Sequence, residues 1–136
     1  MNHQLVYFIY KIIAITLSVF LIACNKEIVS NPDLANTKIT ITSPIAKTTF
    51  NNGEIVAIKA IITSDVSMHG YEILLHEDNI NEPKTIKNRH THGKELVIDD
   101  TYKIECTKNT DYTLEIVAFI NHSGIKLSEK VQISCK

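Results

Sequence analysis

The chain has 136 residues, of which 44% are hydrophobic, and its 14 basic and 15 acidic side chains give a formal net charge of -1. This length allows one domain with a modest core. The charges form no long run of one sign, which argues against nucleic acid or an anionic surface as a partner recognised through overall charge.

The first 23 residues predict a cleaved signal peptide. Lys11 precedes a mostly apolar segment, residues 12 to 23, that is too short to serve comfortably as a permanent membrane span. It ends in "LIAC", which resembles the lipobox of bacterial lipoproteins. The resemblance implies that residues 1 to 23 are removed and that Cys24 carries acyl chains, palmitate among them, which together anchor a protein durably. The alternative is a soluble exported protein with an ordinary cleavage site and a chance cysteine.

Residues 24 to 37 are predicted to form the lipidated cysteine and a flexible tether. The segment "NKEIVSNPDLANT" is polar and contains a proline. Asn25 follows the cysteine where, in the proteobacterial sorting rule, an aspartate would retain a lipoprotein at the inner membrane. The resemblance therefore implies an outer-membrane location in the cell envelope, without indicating which face. The membrane, reached through Cys24, is the first expected partner.

Residues 38 to 136 predict an all-β domain. Apolar and polar residues alternate in short runs separated by turn residues, and no helical period is visible. The seven runs are "KITITSP", "EIVAIKAIITSD", "HGYEILLHE", "TIKNRHTH", "ELVI", "YTLEIVAFI" and "IKLSEKVQIS". The apolar faces of two of them comprise Val56, Ile58, Ala60 and Ile62, and Tyr112, Leu114, Ile116, Ala118 and Ile120. Seven short strands in this length are typical of a β-sandwich.

Two longer segments support this fold by resemblance. "ITITSPIAKTTFNNGEIVAIKA" and "DYTLEIVAFINHSG" resemble the first strands and the sixth strand of bacterial immunoglobulin-like (fibronectin-like) domains. The resemblance implies strands A to G, with the B–C and F–G loops at one end and the A–B, C–C′ and E–F loops at the other. "SMHGYEILLHED" and "RHTHG" are also similar to small histidine-containing lipoproteins of the Bacteroidetes type, many without an assigned function. Such folds host many functions, so this similarity implies no activity.

Cys106 and Cys135 are predicted to form a disulfide, because an even pair in an exported chain is usually oxidised. Cys106 lies shortly before strand F and Cys135 ends strand G, which is its hairpin partner. The alternatives are two buried thiols, or zinc ligands that act together with histidines, although no C-x-x-C pair supports the latter.

The histidines are the main candidates for a functional site, as metal ligands. "NRHTHG" places His90 and His92 on one face of a strand, because strand side chains alternate. If this strand returns antiparallel to strand C about a turn near Ile80, position 68 faces about 92 and position 70 faces about 90. The predicted B–C end then gathers Met68, His69, His90, His92 and His122, and only His76 falls at the other end.

The side chain that strand C contributes depends on the strand register. If His90 and His92 share a face with Met68, His69 points the other way unless a bulge near Gly70 rotates it, and a slip of one residue reverses the choice. Imidazoles suit zinc and copper, and a thioether adds preference for cuprous copper.

Two interpretations of the function follow. The first is a membrane-tethered metal-binding module for zinc or copper. The second is a structural or adhesion-type module that binds a protein or a glycan, with incidental histidines. Metal affinity that falls as the imidazoles protonate would favour the first, and a partner insensitive to chelators would favour the second. The sequence contains no nucleophile motif, no phosphate-binding glycine loop and no paired carboxylates in an apolar pocket, so an enzyme is not expected.

Overall fold

The computed structural model describes residues 36–78 and 80–136. The predicted signal peptide, Cys24 and most of the predicted tether lie outside the described residues. The strands are β1 (Lys38–Ser43), β2 (Thr48–Phe50), β3 (Ile55–Glu77), β4 (Lys84–Lys103), β5 (Thr110–Phe119) and β6 (Lys126–Cys135). No helix long and apolar enough to traverse a bilayer occurs in this described part.

Two long strands, β3 and β4, run through both layers of the domain. The first half of β3 pairs with β1 and with the second half of β4, whereas its second half pairs with the first half of β4 and with β5. β5 pairs antiparallel with β6, and the short β2 runs parallel to β6. One layer therefore contains β1 and half of β3 and of β4, and the other contains their remaining halves with β5, β6 and β2.

The prediction of an all-β, immunoglobulin-like sandwich is confirmed. Each of the seven predicted runs lies in a strand, and β2 adds a short edge segment. The structure differs at two connections: predicted strands B and C are the two halves of β3, and the next two runs are the two halves of β4. The chain bends between layers at irregularities in the β3–β4 pairing, at Thr63/Met68 and Met68/Gly70, instead of leaving the sheet as loops.

The core lies between the two layers and follows the predicted alternation. Ile58, Ile62, Ile116 and Ala118 have no exposed surface. Burying a side chain of the size of isoleucine contributes about 1.5–3 kcal/mol to folding. The buried side chains of these strands therefore provide the main stabilisation of the sandwich. The other members of the two predicted apolar faces, Val56, Ala60, Tyr112, Leu114 and Ile120, are buried as well.

The predicted disulfide between Cys106 and Cys135 is present, with a distance of 6.1 Å between the two Cα atoms. It joins the segment before β5 to the last residue of β6. This is the end of the domain opposite the β5–β6 turn, because Cys135 pairs with Thr110 at the start of β5.

Candidate metal centre

A β-bulge in the pairing of β3 with β4 lies beside His69, which points away from the core. Met68 and Tyr71 are both buried although they are three residues apart, so the alternation of faces is interrupted between them. The pairing with β4 shifts between Met68 and Gly70. Gly70 has a φ of +135°, and a Cβ at this position would lie 2.1 Å from the carbonyl oxygen of Arg89. The bulge therefore requires glycine here, and it leaves His69 on the outer side of the sheet.

The neighbouring strand β4 supplies His90 and His92. Gly70 faces His90, in agreement with the predicted register, whereas Met68 faces Gly93 and not position 92, because one extra residue lies on β4 between these two pairs. Both histidines are exposed, and their ring centroids are 4.7 Å apart. The spacing of two residues on a strand thus places both imidazoles on the same face, as predicted.

The turn between β5 and β6 supplies His122 from the other side of β3. The side-chain oxygen of Asn121 accepts hydrogen bonds from the backbone N–H groups of Ser123 (3.0 Å) and Ile125 (3.3 Å). Gly124 closes the turn with a φ of +85°. This Asx-type turn follows directly after Phe119, which pairs with Gly70 in the sheet. The turn therefore holds His122 beside the bulge.

Four imidazoles form a contiguous group, which we call the histidine cluster: His69, His90, His92 and His122. The centroid of the His69 ring lies 3.9 Å from that of His122, 4.8 Å from that of His92 and 6.5 Å from that of His90. His69 is the central member, half-buried, and the other three are exposed.

The surroundings of His69 favour its neutral form. Burial of the ring, followed by repulsion from His122, His92 and His90, lowers the pKa of His69 below its ordinary value of 6.5. Its Nδ1 atom is buried and, among the described residues, has no hydrogen-bond partner. An unpaired nitrogen of this kind is unfavourable. A neutral imidazole with an unused nitrogen is the form of histidine that binds metal ions.

The rings are close but not arranged around a common point. Within residues 36–78 and 80–136, no group of three or more His, Cys, Asp or Glu side chains is positioned as it stands to hold a metal ion. The ring planes of two pairs are tilted by 33° and 46°, and those of the other two pairs are nearly perpendicular, at 84° and 89°. The backbone thus brings the imidazoles together, and shared coordination requires rotation of their side chains.

The structure separates the remaining predicted candidates from this cluster. Met68 is fully buried and packs in the hydrophobic core, on the opposite side of β3 from His69. Its thioether therefore no longer supports a preference for cuprous copper. Cys106 and Cys135 are joined to each other. His76 lies seven residues beyond His69 along β3, roughly 23 Å away at the usual rise of a strand.

His76 belongs to an ionic group that no sequence pattern indicates. Its Nε2 lies 2.6 Å from a carboxylate oxygen of Glu115, whose other oxygen lies 3.5 Å from Nζ of Lys130. Burial alone would raise the pKa of Glu115, but hydrogen bonds from Ser128 and His76 and the charge of Lys130 hold it below its ordinary value. These residues are half-buried or exposed on β3, β5 and β6, so only the strand register could have revealed the group.

No protein-family model matches this chain, and no curated protein matches it. Among solved structures, the chain is similar to the fibronectin(III)-like modules of CbhA from Clostridium thermocellum, with 19% identity and a TM-score of 0.48. That match covers 73% of this chain and 46% of the CbhA chain, so this chain spans less than half of that structure. It is also similar to a superoxide reductase (neelaredoxin) from Ignicoccus hospitalis, with 9% identity, a TM-score of 0.48, and coverage of 74% and 80% of the two chains.

Proposed function

We propose that this protein is an exported lipoprotein whose immunoglobulin-like domain binds a divalent transition metal ion, Zn(II) or Cu(II), through the histidine cluster. Cys24 is the proposed lipidation site, and the ligands are drawn from His69, His90, His92 and His122. The proposal includes no catalytic step, and the absence of an enzymatic role remains a prediction from the sequence.

The observation that carries the proposal is the spacing of the four rings. With a Zn–N distance of about 2.0–2.1 Å and tetrahedral geometry, the ring centroids of two coordinating histidines lie about 5 Å apart. The centroid distances in the cluster, 3.9 to 6.5 Å, lie on both sides of that value. The proposal requires rotation of the exposed side chains to make up the difference, and three of the four rings do not pack in the core.

The choice of metal follows from the donor atoms. Four neutral nitrogen donors without a thiolate suit Zn(II) and Cu(II), and Cu(II) binds more tightly at a given nitrogen site. No carboxylate is part of the cluster. The cluster is therefore a poor site for Ca(II) and Mg(II), because these ions take oxygen donors. The lowered pKa of His69 helps binding at neutral pH, because a protonated imidazole cannot coordinate.

The test is a calorimetric titration of residues 30 to 136 with Zn(II) and, separately, with Cu(II), each in the presence of a competing chelator. We expect one ion per chain, bound with a dissociation constant in the micromolar range or below. The double substitution His90→Ala and His92→Ala should abolish binding, and His69→Ala should weaken it by roughly tenfold or more, because each removes ligands.

The matched control is His76→Ala, which removes a histidine of the same chain outside the cluster. This variant should bind the metal as tightly as the unchanged domain. Equal losses in the His76 variant and in the double variant would show nonspecific binding by surface imidazoles. The absence of saturable binding would reject the metal site and leave the alternative, a tethered module that displays its surface to a protein or a glycan.

A further inference from the structure

The described chain enters the domain beside the bend of β3 that precedes the histidine cluster. The side-chain amide of Asn36 donates a hydrogen bond to the carboxylate of Asp65, and the hydroxyl oxygens of Thr37 and Ser64 are 2.8 Å apart. β1 then runs away from this end, with Lys38 paired to Thr63. The connection towards Cys24 therefore joins the domain at this end and not at the disulfide end.

The same end carries the cluster. His69 follows Asp65 by four residues along β3, which corresponds to at most about 13 Å of strand. His122 is in contact with His69, and it lies in the β5–β6 turn at this end. The disulfide and Lys136 lie at the far end of β5, which has ten residues and is about 33 Å long.

From these placements we propose that the histidine cluster faces the membrane to which the protein is anchored, so that it exchanges its metal ion with a membrane-bound partner. The inference deepens the proposed function, and it rests on the proposed lipid anchor at Cys24 and on the proposed metal site.

The length of the connection restricts the orientation of the domain. Eleven residues separate Cys24 from Asn36. Whatever their conformation, they span at most about 40 Å. To direct the cluster away from the bilayer, the connection would have to run back along the whole domain, which requires nearly all of its maximal reach. The orientation with the cluster towards the membrane needs no such extension.

The distribution of charge favours the same orientation. Although the whole chain is almost neutral, cations outnumber anions at the cluster end. The exposed basic residues at this end are Lys38, Arg89, Lys94 and Lys126, and the exposed acidic residues are Asp65 and Glu95. A basic side chain close to an anionic bilayer surface is attracted to it. Anionic lipids would therefore draw this end towards the membrane.

The orientation can be measured without any metal. The full-length lipidated protein, reconstituted in vesicles of phosphatidylethanolamine and phosphatidylglycerol, would carry a donor dye at Ser123→Cys or at Glu82→Cys. Ser123 lies in the β5–β6 turn, and Glu82 lies in the turn at the far end of the domain; both are exposed. We expect roughly twofold or stronger energy transfer to an acceptor on the lipid headgroups from position 123, because β5 separates the two turns by about 30 Å.

A reversed anchor provides the control. The Cys24→Ala variant without its signal peptide would be attached to the same vesicles through a lipid ligated after Lys136, and the order of transfer from positions 123 and 82 should then invert. Equal transfer from both positions with the native anchor, or stronger transfer from position 82, would overturn the orientation. Failure of the full-length protein to float with the vesicles would overturn it as well, because it removes the anchor.

The exchange partner is tested with Zn(II). The vesicle-bound protein should deliver Zn(II) faster to a chelator carried on a lipid of the same vesicle than to the same chelator in solution, and the reversed-anchor variant should lose this preference. Equal rates in both anchoring directions would overturn the membrane-bound partner. A failure to bind Zn(II) would reject the proposed function, whereas the energy-transfer measurement would still decide the orientation.

Discussion

At the scale of single residues, Gly70 and His69 together define the candidate site. Gly70 allows the close approach of β4, and the register shift beside it places His69 on the face that carries His90. Alternation counted back from Tyr71 would place His69 in the core, whereas alternation counted forward from the buried Met68 places it outside, as observed. The chemistry of the cluster thus depends on one backbone conformation.

Replacement of Gly70 by alanine should destabilise the domain by about 3 kcal/mol, because the new Cβ would collide with the backbone of β4 and the φ angle is unfavourable for an L-residue. Gly124→Ala is the control: its φ is also positive, but no atom lies within 4 Å of the new Cβ, so only conformational strain of about 1 kcal/mol is expected. Urea unfolding of both variants measures the difference. Equal losses would contradict a steric requirement at Gly70.

The proton affinity of His69 should depend on its neighbours. Replacement of His122 by alanine removes a repulsive charge and uncovers part of the His69 ring, so the pKa of His69 should rise towards 6.5. NMR titration of the imidazole resonances measures this change. His76→Ala, at the other end of the sheet, should leave the His69 titration unchanged. An unaltered His69 pKa in the His122 variant would show that the two rings do not interact in solution.

The lowered pKa of His69 also predicts how the stability of the domain changes with pH. In the unfolded chain His69 takes up a proton near pH 6.5, whereas in the folded domain it does so only at lower pH. As the pH falls below 6.5, the unfolded state therefore binds more protons and this group reduces the free energy of unfolding. The decrease should be smaller in the His69→Ala variant, as measured by denaturation at a series of pH values between 7 and the acid range.

At the scale of strands, the disulfide is the main constraint on the C-terminal hairpin. Cys106 and Cys135 close a loop with a sequence separation of 29 residues. Cys135 is the last residue of β6 and is buried, and Lys136 donates a hydrogen bond to Phe50 at the end of β2. The bridge therefore holds β6 between β5 and the short strand β2.

The double substitution Cys106→Ala and Cys135→Ala should lower the free energy of unfolding by about 3–4 kcal/mol, through the entropy that the open loop gains in the unfolded state. Chemical denaturation measures the change, and reduction of the unchanged protein should give a loss of similar size. Metal binding at the opposite end should survive in the folded fraction. A loss below 1 kcal/mol would indicate that the hairpin and β2 hold the end of β6 without the bridge.

At the scale of the whole molecule, two strands that pass through both layers connect the core to the cluster. The histidines come from β3, β4 and the β5–β6 turn, so the cluster exists only when the sandwich is assembled. The unfolded chain lacks this arrangement, and a metal ion that binds the cluster must therefore stabilise the folded state.

We expect a Zn(II) concentration one hundred times the dissociation constant to increase the free energy of unfolding by about 2.7 kcal/mol. Thermal unfolding of residues 30 to 136 with Zn(II), and again with excess chelator, measures this effect. The variant with His90→Ala and His92→Ala should show no metal-dependent shift. Stabilisation that persists in this variant would place the bound ion elsewhere in the domain.

The sandwich could be predicted because the alternation of apolar and polar residues along a strand indicates which of its side chains are buried. In β5, every second residue from Tyr112 to Ile120 is apolar and buried, so the strand and its inner face could be recognised without knowledge of its partners. The pairing of His90 with position 70 followed from the length of one hairpin, which is also local information. The paired cysteines could be assigned for a similar reason, since they flank the two strands of one hairpin.

Local patterns determined the strands, their inner faces and the end of the domain to which most of the histidines belong, because each depends on neighbours in the sequence or on one turn. The tertiary structure alone decided that His69 and not Met68 joins His90, His92 and His122, since a bulge of one residue reverses the faces and its position depends on the fit of Gly70 against Arg89. It also decided that His76 pairs with Glu115, because contacts across strands depend on a register that the sequence does not display.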